Sequence, residues 1–272
     1  MTWAQGVYES LFRRAAQDPN VVGLVLGGSR GKRALVTPGS DYDVYLVVLD
    51  DPDEYRRRWT HPRGHPLDIA VFSLEEFRGH AAVGSQSEWN RYTFTHVEPE
   101  LDRRDGEIGA IVRDKGCLPP EAARERAGEE LDGYLNAYYR CLKNARLGLA
   151  TAAQLDAAES VPPLLVALFA MEERVRPFNK YLTWELEHHP LAPIFCAAES
   201  LVPRLRTIVA TGDLPEQQAL FHEVEETARG RGLGEVVDGW EPDAAAAFPR
   251  RPITSTGSGR PLPWGGSSTV AR

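Results

Sequence analysis

A six-residue run, Val21-Val22-Gly23-Leu24-Val25-Leu26, stops at Gly27-Gly28-Ser29-Arg30-Gly31, and that junction restricts this chain more than any other feature. The run reads as a buried strand, and the glycines after it permit backbone angles and close approaches that other residues resist. A turn of this kind can point successive amides at a phosphate. After a polar loop, residues 32–40, Asp41-Tyr42-Asp43 leads into a second apolar run, Val44-Tyr45-Leu46-Val47-Val48-Leu49. Residues two apart on a strand share a face, with Cα atoms ~6.6 Å apart. Both carboxylates can therefore reach one or two hard cations.

A third acid stands in another short apolar strand, Pro66-Leu67-Asp68-Ile69-Ala70-Val71-Phe72. Ionised carboxylates crowded together repel and lose hydration, and a metal ion neutralises such a cluster most simply. Taken singly, Asp41 also suits a turn and Asp68 a strand surface. Mg²⁺ takes oxygen ligands, keeps waters, and is typically held by one or two carboxylates plus substrate phosphates. A nucleoside triphosphate would complete that shell.

Together, Gly28-Ser29, Asp41-Tyr42-Asp43 and Asp68 resemble the nucleotidyltransferase superfamily, which includes DNA polymerase beta and the aminoglycoside nucleotidyltransferases. Its pattern is Gly-Ser, a gap of roughly ten residues, Asp-x-Asp between apolar positions, and an acid on a later strand. The match covers the core elements of roughly the first 115 residues. The resemblance implies an α+β fold, a mixed sheet with flanking helices followed by an all-α helix bundle. It also implies that Gly28, Ser29, Arg30 and nearby amides hold the triphosphate of ATP or another nucleotide. Asp41 and Asp43 would bind two Mg²⁺ ions, and Asp68 would be a metal ligand or the general base. The implied reaction is transfer of a nucleoside monophosphate, AMP as the default, to a hydroxyl, with release of pyrophosphate. Two metals place positive charge near the attacking and leaving oxygens. A carboxylate that takes the hydroxyl proton contributes typically ~10²- to 10⁴-fold.

Length suits two domains, each with a core of its own. The expected division is residues 1–117, carrying the acids, residues 118–247, helical, and a tail from 248 in which Pro, Gly, Ser and Thr suggest disorder. No window approaches a membrane span, and the first residues lack the basic start and apolar segment of a signal peptide. Three scattered cysteines, Cys117, Cys141 and Cys196, fit reduced structural thiols. A cytoplasmic protein is expected. The net charge of -8 argues against extended contact with nucleic acid and fits a small, polar, cationic acceptor better, an aminoglycoside-like antibiotic being the first expectation.

Periodicity predicts a helix over 3–16, ended by Asp18-Pro19, which covers the first strand. Ser73-Leu74-Glu75-Glu76 is a capping box that starts another, which makes its two glutamates structural. Residues 97–104 read as a strand, followed by the Asp105-Gly106 turn and a helix, with a hairpin as the competing reading and Asp102 in a surface or turn role. In the second half, helices are expected over 121–149, 162–175, 178–188, 193–210 and 215–229, with Pro162 and Pro163 in a first helical turn.

The densest polar constellation there is Arg174-Val175-Arg176-Pro177-Phe178-Asn179-Lys180-Tyr181. Antibiotic-type enzymes often present a lysine from the helical part to the triphosphate, so the resemblance assigns Lys180, with Arg176 second, to that role. Completing helix ends and solvated faces is the plainer use of the same cations. Glu159-Ser160 suits a cap for the next helix, and Glu159 also suits recognition of a cationic acceptor. Alternatives to a small-molecule enzyme are a nucleotidyltransferase acting on a protein or RNA partner, antitoxin-like, and a non-catalytic nucleotide-binding protein of the same fold.

Overall fold

The computed structural model describes residues 2–59 and 64–240. Four strands, β1 (Val21–Leu26), β2 (Tyr42–Val48), β3 (Leu67–Ser73) and β4 (Pro99–Asp102), form one mixed sheet in the order β3-β2-β1-β4. β2 runs parallel to β3, and β1 runs antiparallel to both β2 and β4. Side-chain alternation on the central strands sends Tyr42, Val44, Leu46 and Val48 into one core, while Tyr45 and Val47 pack into another on the opposite face.

The first core is closed by α1 (Trp3–Gln17) and α3 (Pro52–Trp59), which bury Leu11, Ala15, Tyr55 and Trp59. The second is closed by α4 (Leu74–Gly79) and α5 (Glu107–Gly116), through Phe77, Ile108 and Val112. Between β1 and β2 lies a single helical turn, α2 (Gly28–Gly31). Ser73 and Glu76 form the expected capping box at the start of α4. Asp102 is structural too: its carboxylate accepts from the amides of Arg104 and Gly109, which fixes the turn into α5.

The remaining helices are α6 (Pro120–Arg146), α7 (Ala150–Ala170), α8 (Leu182–His188), α9 (Ala198–Thr211), α10 (Leu214–Gly230) and α11 (Gly234–Asp238). They share a core that includes Leu131, Leu135, Leu164, Leu168, Leu201, Leu205 and Phe221. The architecture is thus α+β, a helix-flanked mixed sheet followed by packed helices. Cys141 and Cys196 are buried in this helical core, whereas the Cys117 thiol is exposed; all three are free. Among the described residues no helix is long and apolar enough to cross a membrane. The tail expected from 248 onward lies outside the described residues.

One expectation fails instructively. Pro162 and Pro163 stand inside α7, twelve and thirteen residues past its start at Ala150, and not in a first turn. The alanine-rich stretch before them carries the helix upstream, and Ala153 and Ala157 are buried in the shared core. The prolines forfeit two helical hydrogen bonds, but α7 still buries Leu164, Leu165, Leu168 and Phe169 beyond them. Gly133 of α6 faces Pro163, where an added Cβ would meet the proline ring carbon at 3.5 Å. Ser160 consequently caps nothing and donates its hydroxyl to the Ala157 carbonyl within the helix.

Candidate functional site

The parallel ladder pairs Asp43 of β2 with Asp68 of β3 in register. In-register residues of neighbouring strands share a face, so the two carboxylates project from the same side of the sheet. Asp41 sits one residue before β2, and its charge also acts on Asp43. Burial pushes the Asp43 carboxyl up to about 6, the negative charges of Asp41 and Asp68 push it the same way, and Lys180 opposes them. The site is therefore a part-buried carboxylate cluster with one ammonium nearby.

The glycine turn closes on this cluster. The Gly27 amide donates to the Asp43 carbonyl at 2.8 Å, which ties the end of β1 to β2. Gly28 has φ +58°, and a Cβ there would lie 1.7 Å from Asp43 Oδ2. A side chain at 28 is thus excluded twice, by backbone handedness and by the carboxylate. Gly28→Ala is expected to cost ~1–2 kcal/mol from handedness alone and to displace the Asp43 side chain. Urea unfolding against Gly39→Ala, whose added methyl meets open space, measures this; equal stability of the two variants would contradict it.

Each sequence-expected residue has a definite place. Asp41, Asp43, Asp68, Gly28 and Lys180 come together, joined by the contacts and charge interactions just described. Ser29 is 4% exposed, and its carbonyl accepts from the Ala34 amide at 2.9 Å. Arg30 turns towards the loop preceding β2, where its guanidinium donates to the Ser40 and Asp41 carbonyls and lies 4.1 Å from the Tyr42 ring centre. It braces the Asp41 backbone. Arg176 donates to Asn179 and faces the charge of Glu130 on α6; burial lowers its guanidinium's affinity for a proton. Glu159 is exposed on α7 and paired with Arg140. No contact among the described residues joins Arg176 or Glu159 to the acids.

Two buried ionic knots hold the surroundings, and sequence reasoning missed both. Lys32, assigned to a polar loop, is buried, and its ammonium donates to the Tyr92, Thr93 and Thr95 carbonyls. Burial pushes its amine down to about 7, with the charge of Glu185 working the other way. Glu185 of α8 is 1% exposed. It accepts from Tyr92 Oη at 2.8 Å, from Arg174 Nη2 at 2.6 Å and interacts with His96 Nε2 at 3.0 Å. Burial alone would raise its carboxyl, but these three partners hold it down at about 2. Partners some sixty positions from Lys32 and, for Tyr92 and His96, some ninety from Glu185 are ones that no local pattern connects.

The acids suit a hard cation. Uncompensated negative charge at Asp43 is what a divalent ion would relieve. Among the described residues no group of three His, Cys, Asp or Glu side chains forms a ready metal cage. The expected three-acid ligand set, Asp41, Asp43 and Asp68, is therefore not assembled as such a group.

No protein-family model matches the chain, and no curated protein matches it. Among solved structures it is similar to the crystal structure of a nucleotidyltransferase-like protein from Exiguobacterium sibiricum 255-15. The two share 12% identity over 90% of this chain and 78% of that one, at a TM-score of 0.41. A likeness this loose carries no weight in assigning the site.

Proposed function

We propose that the protein is a Mg²⁺-dependent nucleotidyltransferase that moves a nucleoside monophosphate, AMP from ATP, to a hydroxyl of a small polar acceptor of the aminoglycoside type. The observation that carries this reading is the in-register pair Asp43 and Asp68, with Asp41 and Lys180 acting on the same carboxylate beside a glycine turn. A scaffold has no need of such crowding, because like charges brought together cost stability unless a ligand neutralises them.

On this reading Asp41 and Asp43, with Asp68 beside them, would hold the metal. When bound, Mg²⁺ supplies positive charge to the attacking and leaving oxygens. The amides of residues 28–30 and the Ser29 hydroxyl hold the triphosphate, the Gly31 amide being used by the Gly27 carbonyl. The acceptor oxygen forms a bond to the α-phosphorus as the bond to the bridging oxygen breaks, and Lys180 steadies the departing pyrophosphate. The acceptor proton passes to a carboxylate, for which Asp68, exposed where Asp43 is half-buried, is the assignment. The paired arginine of Glu159 leaves that glutamate a secondary candidate for recognising a cationic acceptor.

Pyrophosphate release from ATP and Mg²⁺, measured across a panel of aminoglycosides and other polyhydroxylated small molecules, tests the reading. Release is expected only with a particular acceptor present. Label transfer from ATP to a protein or RNA of a cell extract, with silence across the panel, would move the activity to a macromolecular acceptor. Absence of both would end the enzymatic reading.

A further inference from the structure

The ladder that pairs Asp43 with Asp68 pairs Tyr45 with Ala70 two residues further on. Phenol ring, alanine methyl and both acids therefore share one face of the sheet. Phe72 follows Ala70 on that face, and His80 packs on it with ring centres 4.8 Å apart. The Tyr45 ring borders both, 6.2 Å from Phe72 and 5.9 Å from His80. This strip is open to solvent. Asp68 is exposed, and Tyr45, Ala70, Phe72 and His80 are only half-buried, whereas Leu67 and Val71 on the opposite face of β3 are buried. Ala70 puts no more than a methyl group between Asp68 and the three rings.

Asn90, 7% exposed, ties the two polar rings together. Its Nδ2 lies 2.9 Å from Tyr45 Oη and 3.0 Å from His80 Nε2, and its Oδ1 lies 2.6 Å from Thr93 Oγ1. A hydroxyl donating to an oxygen sits at about 2.7 Å and an amide N–H at about 2.9–3.0 Å. The short contact thus belongs to the Thr93 hydroxyl and the two longer ones to the Asn90 amide, whose N–H groups are then both in use. His80 Nε2 must accept, which places the proton of the neutral ring on Nδ1; burial, and the charge of Lys115 after it, lower the ring's affinity for a second proton. Tyr45 Oη accepts as well, and no hydrogen bond among the described residues uses the phenol's own proton. We propose that Tyr45 binds the acceptor: its phenol donates to an oxygen of a polyhydroxylated ring that lies across Ala70 and brings the reacting hydroxyl to Asp68. Aromatic walls suit the C–H face of such a ring, and one fixed donor orients it. The ligand class rests on the transferase reading; the proton positions in the Tyr45-Asn90-His80 network do not.

The test is pyrophosphate release by the wild-type protein, Tyr45→Phe and Ala70→Leu, with ATP and with the panel acceptor that gives the fastest release, each varied in turn. Loss of one neutral hydrogen bond weakens binding about fivefold, so Tyr45→Phe should raise the acceptor KM by that factor. Its kcat and its KM for ATP should stay at wild-type values, the pattern of an interaction lost equally from bound substrate and transition state. Ala70→Leu fills the strip and should raise the acceptor KM about tenfold or more, again without moving the KM for ATP. A second measurement needs no turnover: the imidazole nitrogen shifts of His80 at pH 7 should show Nδ1 protonated and Nε2 bare. An unchanged acceptor KM in Tyr45→Phe overturns the proposal, as does an equal rise in the KM for ATP, which would mark a general disturbance of the fold. A proton on His80 Nε2 also overturns it, since Asn90 would then be turned round and the phenol proton already taken. Release by the wild-type protein with no shift in Tyr45→Phe strikes the proposal alone, whereas no release with any acceptor removes the transferase reading and the proposal with it.

Discussion

Asp43→Asn will abolish pyrophosphate release and, at the same time, stabilise the metal-free protein at neutral pH. The two effects share one cause. In the fold the Asp43 carboxyl is raised to about 6, by burial first and then by Asp41 and Asp68, against an ordinary value of ~3.9. A raised acid contributes stability that is fully present below ~3.9 and is lost as pH rises through about 6. At pH 7.5 the ionised carboxylate is therefore a net burden, worth about 1–2 kcal/mol after allowance for its partial exposure to solvent. Asparagine keeps the shape and removes the charge, so the metal-free variant should melt ~2–6 °C higher. The advantage should vanish near pH 4. Removing a metal ligand should lower turnover by ~10³-fold or more. Differential scanning calorimetry at pH 4 and 7.5, paired with the pyrophosphate assay, measures both. An asparagine variant that is active, or that melts below wild type at pH 7.5 without metal, would show that the carboxylate serves packing instead of a ligand.

The second large effect concerns stability alone. Glu185→Ala removes the acceptor shared by Tyr92, His96 and Arg174 and leaves a guanidinium facing a buried gap. Breaking one side of a buried ion pair costs ~3–5 kcal/mol, which corresponds to a fall of about 10 °C in Tm. The sign with pH is opposite to that of Asp43. The Glu185 carboxyl is depressed to about 2 in the fold, against ~4.3 in the unfolded chain. Its contribution is present above ~4.3 and is lost as pH falls towards 2. The gap between wild type and variant should accordingly be full at pH 7 and narrow steadily below pH 4. A gap that is independent of pH would mean that packing volume, not the ionised carboxylate, holds the joint between residues 92–96 and α8.

What was legible in the sequence was whatever is set by neighbours along the chain. The strand over 21–26, the capping box at Ser73 and the turn at Asp105-Gly106 all follow from local backbone preferences, and the structure contains them. The common face of Asp43 and Asp68 was readable in outline, because alternation fixes the face once a strand is assigned. Their register was not, since it depends on which residues of β3 hydrogen-bond to β2. The proline pair misled because a first-turn preference is weak beside the burial available to a longer α7. The α3 and α11 helices were absent from the reading, being short and held in place by packing. The knots at Lys32 and Glu185 were invisible because nothing local distinguishes a lysine that will meet three distant carbonyls from one that will meet water.

The pairing of β2 with β3 has an engineering consequence. The carboxylate separation is dictated by the hydrogen-bond ladder between two strands, and the length of the segment that joins them does not enter it. Residues inserted after Asp50, or new termini opened there by circular permutation, should preserve the spacing of the acids. A one-residue slip of β3 against β2 would instead carry Asp68 to the opposite side of the sheet.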